Sequence, residues 1–248
     1  MYKLSLLLVV VLALMRPVQA QNTIFLSHGK IEYERRVNVF ARMDNQDDQW
    51  AEFRKKLSNH FKTSYFDLVF GGDKSLYQPG RESEDRELFT FFQAPAQDNV
   101  VYTDLDKAET ISQKNIFETK FLIRDSLRQI KWKITDETRN IAGFTCRRAN
   151  AIIMDSIYVV AFYTDEILTN GGPESFTGLP GMILGVSLPH QHISWFATKV
   201  EAIPVTESQL EPPVKGKKTD NAALRQTVQP RMKDWGKEGR QYMQDIML

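Results

Sequence analysis

From residue 88 to residue 163 the chain is cut into short apolar or alternating runs separated by polar turns, and this spacing restricts the fold more than any other feature. The runs are 88–92, 100–102, 108–111, 117–134, 145–154 and 157–163. Successive runs lie too close together for a helix to fit between them. They are therefore expected to pair as antiparallel neighbours, not as β-α-β units. Within 117–134, Phe121, Ile123, Ile130, Trp132 and Ile134 are the inward candidates, and Asp125-Ser126 marks a hairpin bend. In the last run, Ile157, Val159, Ala161 and Tyr163 share one face, and Tyr158, Val160 and Phe162 the other. With both faces apolar, this run predicts either a central strand covered on each side or a strand at an association surface. The expected class is mainly β (α+β): a meandering antiparallel sheet, curved or half-barrel-like, with a helix packed on one face and a C-terminal helical segment.

The flanks fill in the order of elements. Residues 29–42 start a first strand with Ile31, Tyr33, Val37 and Val39. The stretch 44–61 then places Trp50, Phe53, Leu57 and Phe61 on one stripe of a helix, opposite Arg54, Lys55 and Lys56. A strand over 64–70 is ended by Gly71-Gly72, and 77–87, rich in charge and turn formers, predicts a mobile loop. Pro212, Pro213 and Gly216 make 207–221 a linker. Beyond it, 222–248 reads as helical pieces interrupted by Pro230, Gly236 and Gly239, with Met232, Trp235, Tyr242 and Ile246 available for docking. The expected organisation is a signal peptide over 1–20, one β-rich domain over 21–206, the linker, and a C-terminal helical tail.

Residues 1–20 carry Lys3, an apolar core over 4–15 and a Val18-Gln19-Ala20 cleavage boundary. That core is shorter than the roughly 20 residues that span a bilayer. No Cys lies near the cut, so the expected product starts at Gln21, exported and not lipidated, with no transmembrane segment. Losing Lys3 and Arg16 takes the formal charge from +1 to about −1. Such a balance provides no field to gather nucleic acid. Cys146 is the single cysteine and so has no disulfide partner within the chain. Its apolar neighbours predict burial.

The candidate functional residues gather at one corner. Gly178, Leu179, Pro180 and Gly181 combine permissive and fixed backbone positions, and Pro180-Gly181 signals a type II turn leading into a strand at Met182. Leu179 is expected to tuck into the core, and Gly185 allows a bulge or a close approach. Two readings follow: a structural corner, or a rim, including Trp195, that grips a peptide or other ligand. His190 and His192 share a face if they lie on a strand. With Asp165 and Glu174 they would make a site for a divalent metal such as zinc. Pro189 makes a turn with solvated histidines the competing reading. Neither Ser187 nor Ser194 lies in a Gly-x-Ser-x-Gly elbow.

Residues 132–135 through 146–149, 161–165, Gly172-Pro173 and 178–184 together resemble the GLPGLI family of exported proteins common in Bacteroidetes, with Met182 standing where the eponymous motif has Leu. The resemblance implies a mostly β protein of the periplasm or envelope, linked with outer-membrane transport, for which no reaction is established. The expected function is thus a noncatalytic envelope protein, without a cofactor, that binds a partner protein or exported peptide. The alternative is a metal-binding protein or metal-dependent enzyme using His190 and His192.

Overall fold

The computed structural model describes residues 25–42, 61–83 and 97–248. The expected signal peptide, the expected helix as far as residue 60, and the 88–92 run lie outside these residues. The first strands are β1 (His28–Asn38), β2 (Phe61–Gly71), β3 (Lys74–Pro79), β4 (Val100–Asp104), β5 (Glu109–Ile116) and β6 (Thr119–Ser126). They are followed by β7 (Lys133–Ile141), β8 (Phe144–Ile153), β9 (Ile157–Thr164), β10 (Met182–Leu188), β11 (Ile193–Glu201) and β12 (Lys217–Thr219). All twelve belong to one sheet, ordered β12-β6-β5-β4-β3-β2-β1-β11-β10-β9-β8-β7. Two meanders, β1 to β6 and β7 to β11, are thus zipped together where β1 pairs antiparallel with β11. The pairing of β12 with β6 is parallel.

The sheet corrects the expectation of a curved, half-barrel-like form. It is open, with β12 at one end and β7 at the other, and no pairing joins them. Closure needs a pairing partner on both sides of every strand. Here β12 is three residues long, while β7 is largely exposed, charged, and broken by a register shift between Ile134 and Thr138. Those are the features that blunt an edge.

Three local expectations are also revised. Asp125-Ser126 ends β6 without a hairpin, because β6 pairs with β5 and β12 whereas β7 pairs with β8. The Asp125 carboxylate instead accepts from the backbone N–H (3.1 Å) and side-chain amide (2.8 Å) of Asn221, at the start of the C-terminal helices. Tyr77 lies in β3, 1% exposed and stacked on Phe66 at 4.8 Å, not in a mobile loop. Phe61 begins β2, not the end of a helix.

The central core is built from alternate residues of both meanders, including Ile31, Tyr33, Leu68, Cys146, Val159, Leu184 and Trp195. Strand β9 is buried along almost its whole length, as two apolar faces require. Among the described residues the α-helices are α1 (Val39–Arg42), α2 (Asn221–Val228) and α3 (Gly236–Met247). Asp220 caps α2 by accepting from the Ala223 N–H at 2.7 Å. Leu224, Val228, Met232, Ile246 and Met247 then cover Ile116, Phe121 and Ile123 of β5 and β6. Asp245 pairs with Arg42 at 2.5 Å, both side chains largely buried, which ties α3 to α1. Residues 207–221 hold a one-turn helix at Glu207–Leu210, closed by a Thr206/Gln209 capping box, and then β12. Among the described residues no helix is long and apolar enough to cross a membrane.

Cys146 is fully buried, and burial pushes its thiol up to about 12. Cys146→Ala should cost on the order of 1 kcal/mol through lost packing. The folded protein should resist a bulky thiol reagent until denatured. Rapid labelling under native conditions would contradict the assignment.

Candidate functional site

The corner between β9 and β10 is tied down on every side. The Gly181 N–H donates to the Leu179 carbonyl at 2.9 Å, enclosing Pro180 in a three-residue γ-turn instead of the expected type II turn. Leu179 is 2% exposed and belongs to the central core. Gly181 has φ +139°, and a Cβ placed there would lie 2.0 Å from the Thr164 carbonyl oxygen. The Ile183 N–H donates to Gly171 O at 2.8 Å, and the Tyr33 hydroxyl to Ile183 O at 2.6 Å. The Trp132 indole donates to Thr177 O at 2.9 Å, which fixes the chain as it enters β7. At Gly185, next to a register shift in β10, the Phe196 ring occupies the space of a Cβ. These contacts make the corner a junction of β7, β9, β10 and β1. Gly178 and Pro180 are its exposed points. Trp195 is 1% exposed, packed near Phe176 at 6.1 Å, and presents no outer rim.

The residues of the alternative metal site are not brought together. His190 and His192 lie on the 3₁₀ turn Pro189–Gln191 and its left-handed cap, where His192 has φ +55°, so they do not share a strand face. Asp165 follows β9 at the opposite end of β10, whose seven residues span about 23 Å. Glu174 is buried and accepts from the Asn99 side-chain amide at 2.8 Å. Among the described residues no group of three or more His, Cys, Asp and Glu is placed to hold a metal ion.

An open groove of about 720 Å³ runs between residues 125–129, the β8–β9 turn at 152–155, and the helical layer at Asn221, Arg225 and Met247. Ile152 stands 66% exposed on its bank. Arg128 lines the groove and donates through one nitrogen to the Met247 carbonyl, while its NH1 is buried without a partner. Asp125 is already engaged by Asn221, so the charged groups left on the groove's exposed banks are Asp155 and Arg225, beside the apolar Ile152. Sequence reading placed none of these residues in a site. The signal it passed over was an apolar Ile152 just before the Asp155-Ser156 break.

A second polar group is enclosed inside the sheet. Arg35, Tyr77, Asn99, Lys114, Glu174 and Trp195 are all buried. Lys114 Nζ donates to the Ile246 carbonyl at 3.0 Å, near the end of α3. Burial lowers its ammonium to about 8, against the upward pull of Glu174.

The fold defines an open, mainly antiparallel β protein with a docked helical tail. Residues 152–185, from the end of β8 through the corner into β10, match a family described as a protein of unknown function (Porph_ging). No curated protein matches the chain. Among solved structures it is similar to PNGF-II in its C2 crystal form, with 15% identity and a TM-score of 0.53 over 80% of this chain and 32% of that one. The P21 form gives 14% identity and a TM-score of 0.52, with 82% and 33% covered. The chain spans about a third of the length of these structures, and at such identity the likeness is one of fold.

Proposed function

We propose that the protein is a noncatalytic binding module that receives an extended segment of an exported or envelope protein in the groove beside Ile152. The observation that carries this reading is the groove itself. Its volume lies within the range of ligand sites, yet it is open to solvent, which suits a chain segment better than an enclosed small molecule. Ile152 and Met247 offer apolar contact, and Arg225 and Asp155 on the banks offer one charge of each sign to the backbone or side chains of a segment. The resemblance to GLPGLI proteins adds an envelope location and a role accessory to outer-membrane transport.

Because Ile152 and Arg225 are exposed, Ile152→Asp and Arg225→Glu should alter stability by no more than about 0.5 kcal/mol. Each should nevertheless abolish retention of the stoichiometric partner when the protein is used as bait in native envelope extract. Full retention by both variants would overturn the groove as the binding site.

A further inference from the structure

One bank of the groove, beside Ile152, is the open edge of a strand. On one side β8 pairs with β9 as far as Ile153, which lies opposite Ile157. On its other side β7 reaches only to Lys133, opposite Asn150. Residues 151–153 thus run on past that neighbour, and among the described residues no strand pairs with them there. The chain that leads into β7 does not follow β8 at this point. The Trp132 indole is drawn to the Thr177 carbonyl and Arg128 to that of Met247, and 127–129 line the groove across from 152–155.

Two hydrogen bonds fix which way the backbone points along this stretch. The Arg148 carbonyl accepts from the Thr135 hydroxyl at 3.3 Å and therefore faces β7. The Ile153 carbonyl accepts from the Ser156 N–H at 3.3 Å, across the turn into β9. Backbone groups alternate along a strand, so the N–H and C=O of Ile152 face the β7 side, beyond the point where β7 ends. Such an open pair is a template for another chain. The edge is also held in shape. Met154 and Asp155 lie at φ +47° and +63° in a tight turn whose positive angles favour Asn and Gly. Met154 packs against both the central core and the cluster under α2 and α3, which fixes that turn.

We propose that the groove binds by strand addition: an extended peptide segment takes the place that β7 vacates and exchanges a pair of main-chain hydrogen bonds with Ile152. This rests on the groove being the binding site and adds how the segment is held. The occupant is a peptide main chain because it would continue an existing ladder, and a main chain supplies both the donor and the acceptor that Ile152 lacks. Side chains of the segment alternate between the two faces of the sheet. Those on the side of the exposed Ile152 side chain meet an apolar contact that suits Val, Ile or Thr. Asp155 and Arg225 accommodate one residue of each charge. A proline or N-methylated residue opposite Ile152 has no N–H to give and is disfavoured. Selection is thus for extended conformation more than for a particular sequence.

The test titrates the whole chain with the strand-forming peptide acetyl-Val-Arg-Val-Thr-Val-Glu-Val-amide and with two forms of it, each methylated on one alternate set of backbone nitrogens. The parent peptide should bind saturably, and at least one methylated form should bind about tenfold more weakly, as loss of main-chain hydrogen bonds requires. Hydrogen exchange gives a second reading on the unaltered protein. The Ile152 amide should exchange faster than those of Ala151 and Ile153 in the free protein and be slowed when the peptide is bound. Ile152→Pro removes only the outward N–H, a change that strand edges tolerate. It should weaken binding about tenfold, whereas Ile152→Ala, which keeps the N–H, should weaken it less. No binding of the parent peptide, equal binding of all three peptides, or an Ile152 amide unchanged on binding would overturn strand addition. Partner capture that survives Ile152→Pro but is lost with Ile152→Asp and Arg225→Glu would also overturn it while keeping the groove. Capture that survives all three substitutions overturns the groove itself.

Discussion

Gly181→Val should destabilise the protein by about 3–5 kcal/mol, enough to unfold much of the population of a marginal domain. Two costs coincide at this position. The backbone φ of +139° is one that a β-branched residue avoids, and the new Cβ would meet the Thr164 carbonyl oxygen at 2.0 Å and its carbon at 2.7 Å. The obstacle is main chain at the end of β9, where Thr164 pairs with Met182, so the neighbour can yield only by giving up the first rung between β9 and β10. Pro180→Ala is the matched control: Pro180 is exposed, and its loss should cost under about 1 kcal/mol. Urea unfolding followed by tryptophan fluorescence reads both. A Gly181→Val protein within 1 kcal/mol of wild type would show that the β9–β10 junction is not packed as described. Partner capture by this variant should fall only in proportion to the folded fraction.

Lys114 supplies the second large effect, visible as a dependence on pH. Burial places its folded pKa at about 8, below the 10.5 of an unperturbed lysine. Between these values the unfolded chain holds a proton that the native protein has lost, so this group makes stability rise with pH from about 8 and level off near 10.5. The shift corresponds to about 3 kcal/mol. Tyr33, Tyr77 and Cys146 act in the opposite direction at alkaline pH, since burial raises all three. Those contributions are shared by a Lys114→Met protein and cancel in the difference between it and the wild type. The wild type should therefore gain on the variant by about 3 kcal/mol across that window in urea unfolding. A difference that stays flat would mean that Lys114 remains solvated in the folded state.

The strands themselves were legible because their signal is local. Alternation in 157–163 marked β9 as covered on both faces, and the apolar set Ile31, Tyr33 and Val37 marked β1. What that pattern could not convey is which strands neighbour one another at long range. Asp125-Ser126 looks like a hairpin because a turn sequence is the same whether the next strand folds back beside it or joins the far end of the sheet order. What distinguishes the two is contact between residues far apart in sequence: β12 occupies the side of β6 that a hairpin partner would take, and Asp125 captures Asn221. The histidines misled for a related reason: two residues apart is a shared face on a strand, but the 3₁₀ turn after Pro189 removes that relation. The enclosed polar cluster did leave a trace. Arg35 occupies the inward register of Ile31, Tyr33 and Val37, and Lys114 that of Ser112 and Ile116, where an apolar residue is expected. A charge in a core register, not a motif, marked the buried polar cluster.

The zip between β1 and β11 has a consequence for how the chain reaches this state. Val37 lies opposite Ile193 and Lys30 opposite Glu201, so the central rungs of the sheet join residues from opposite halves of the chain. Each meander can assemble from near neighbours, but this seam must wait until both are in place, and closing so long a loop makes folding slow. During vectorial synthesis β1 emerges early with one side of its backbone unpaired, and it remains so until β11 appears. Over that interval it is an adhesive edge, open to a second nascent copy. Refolding yield should therefore fall steeply with protein concentration, and the window of vulnerability is set by the length of chain between the two halves of the seam.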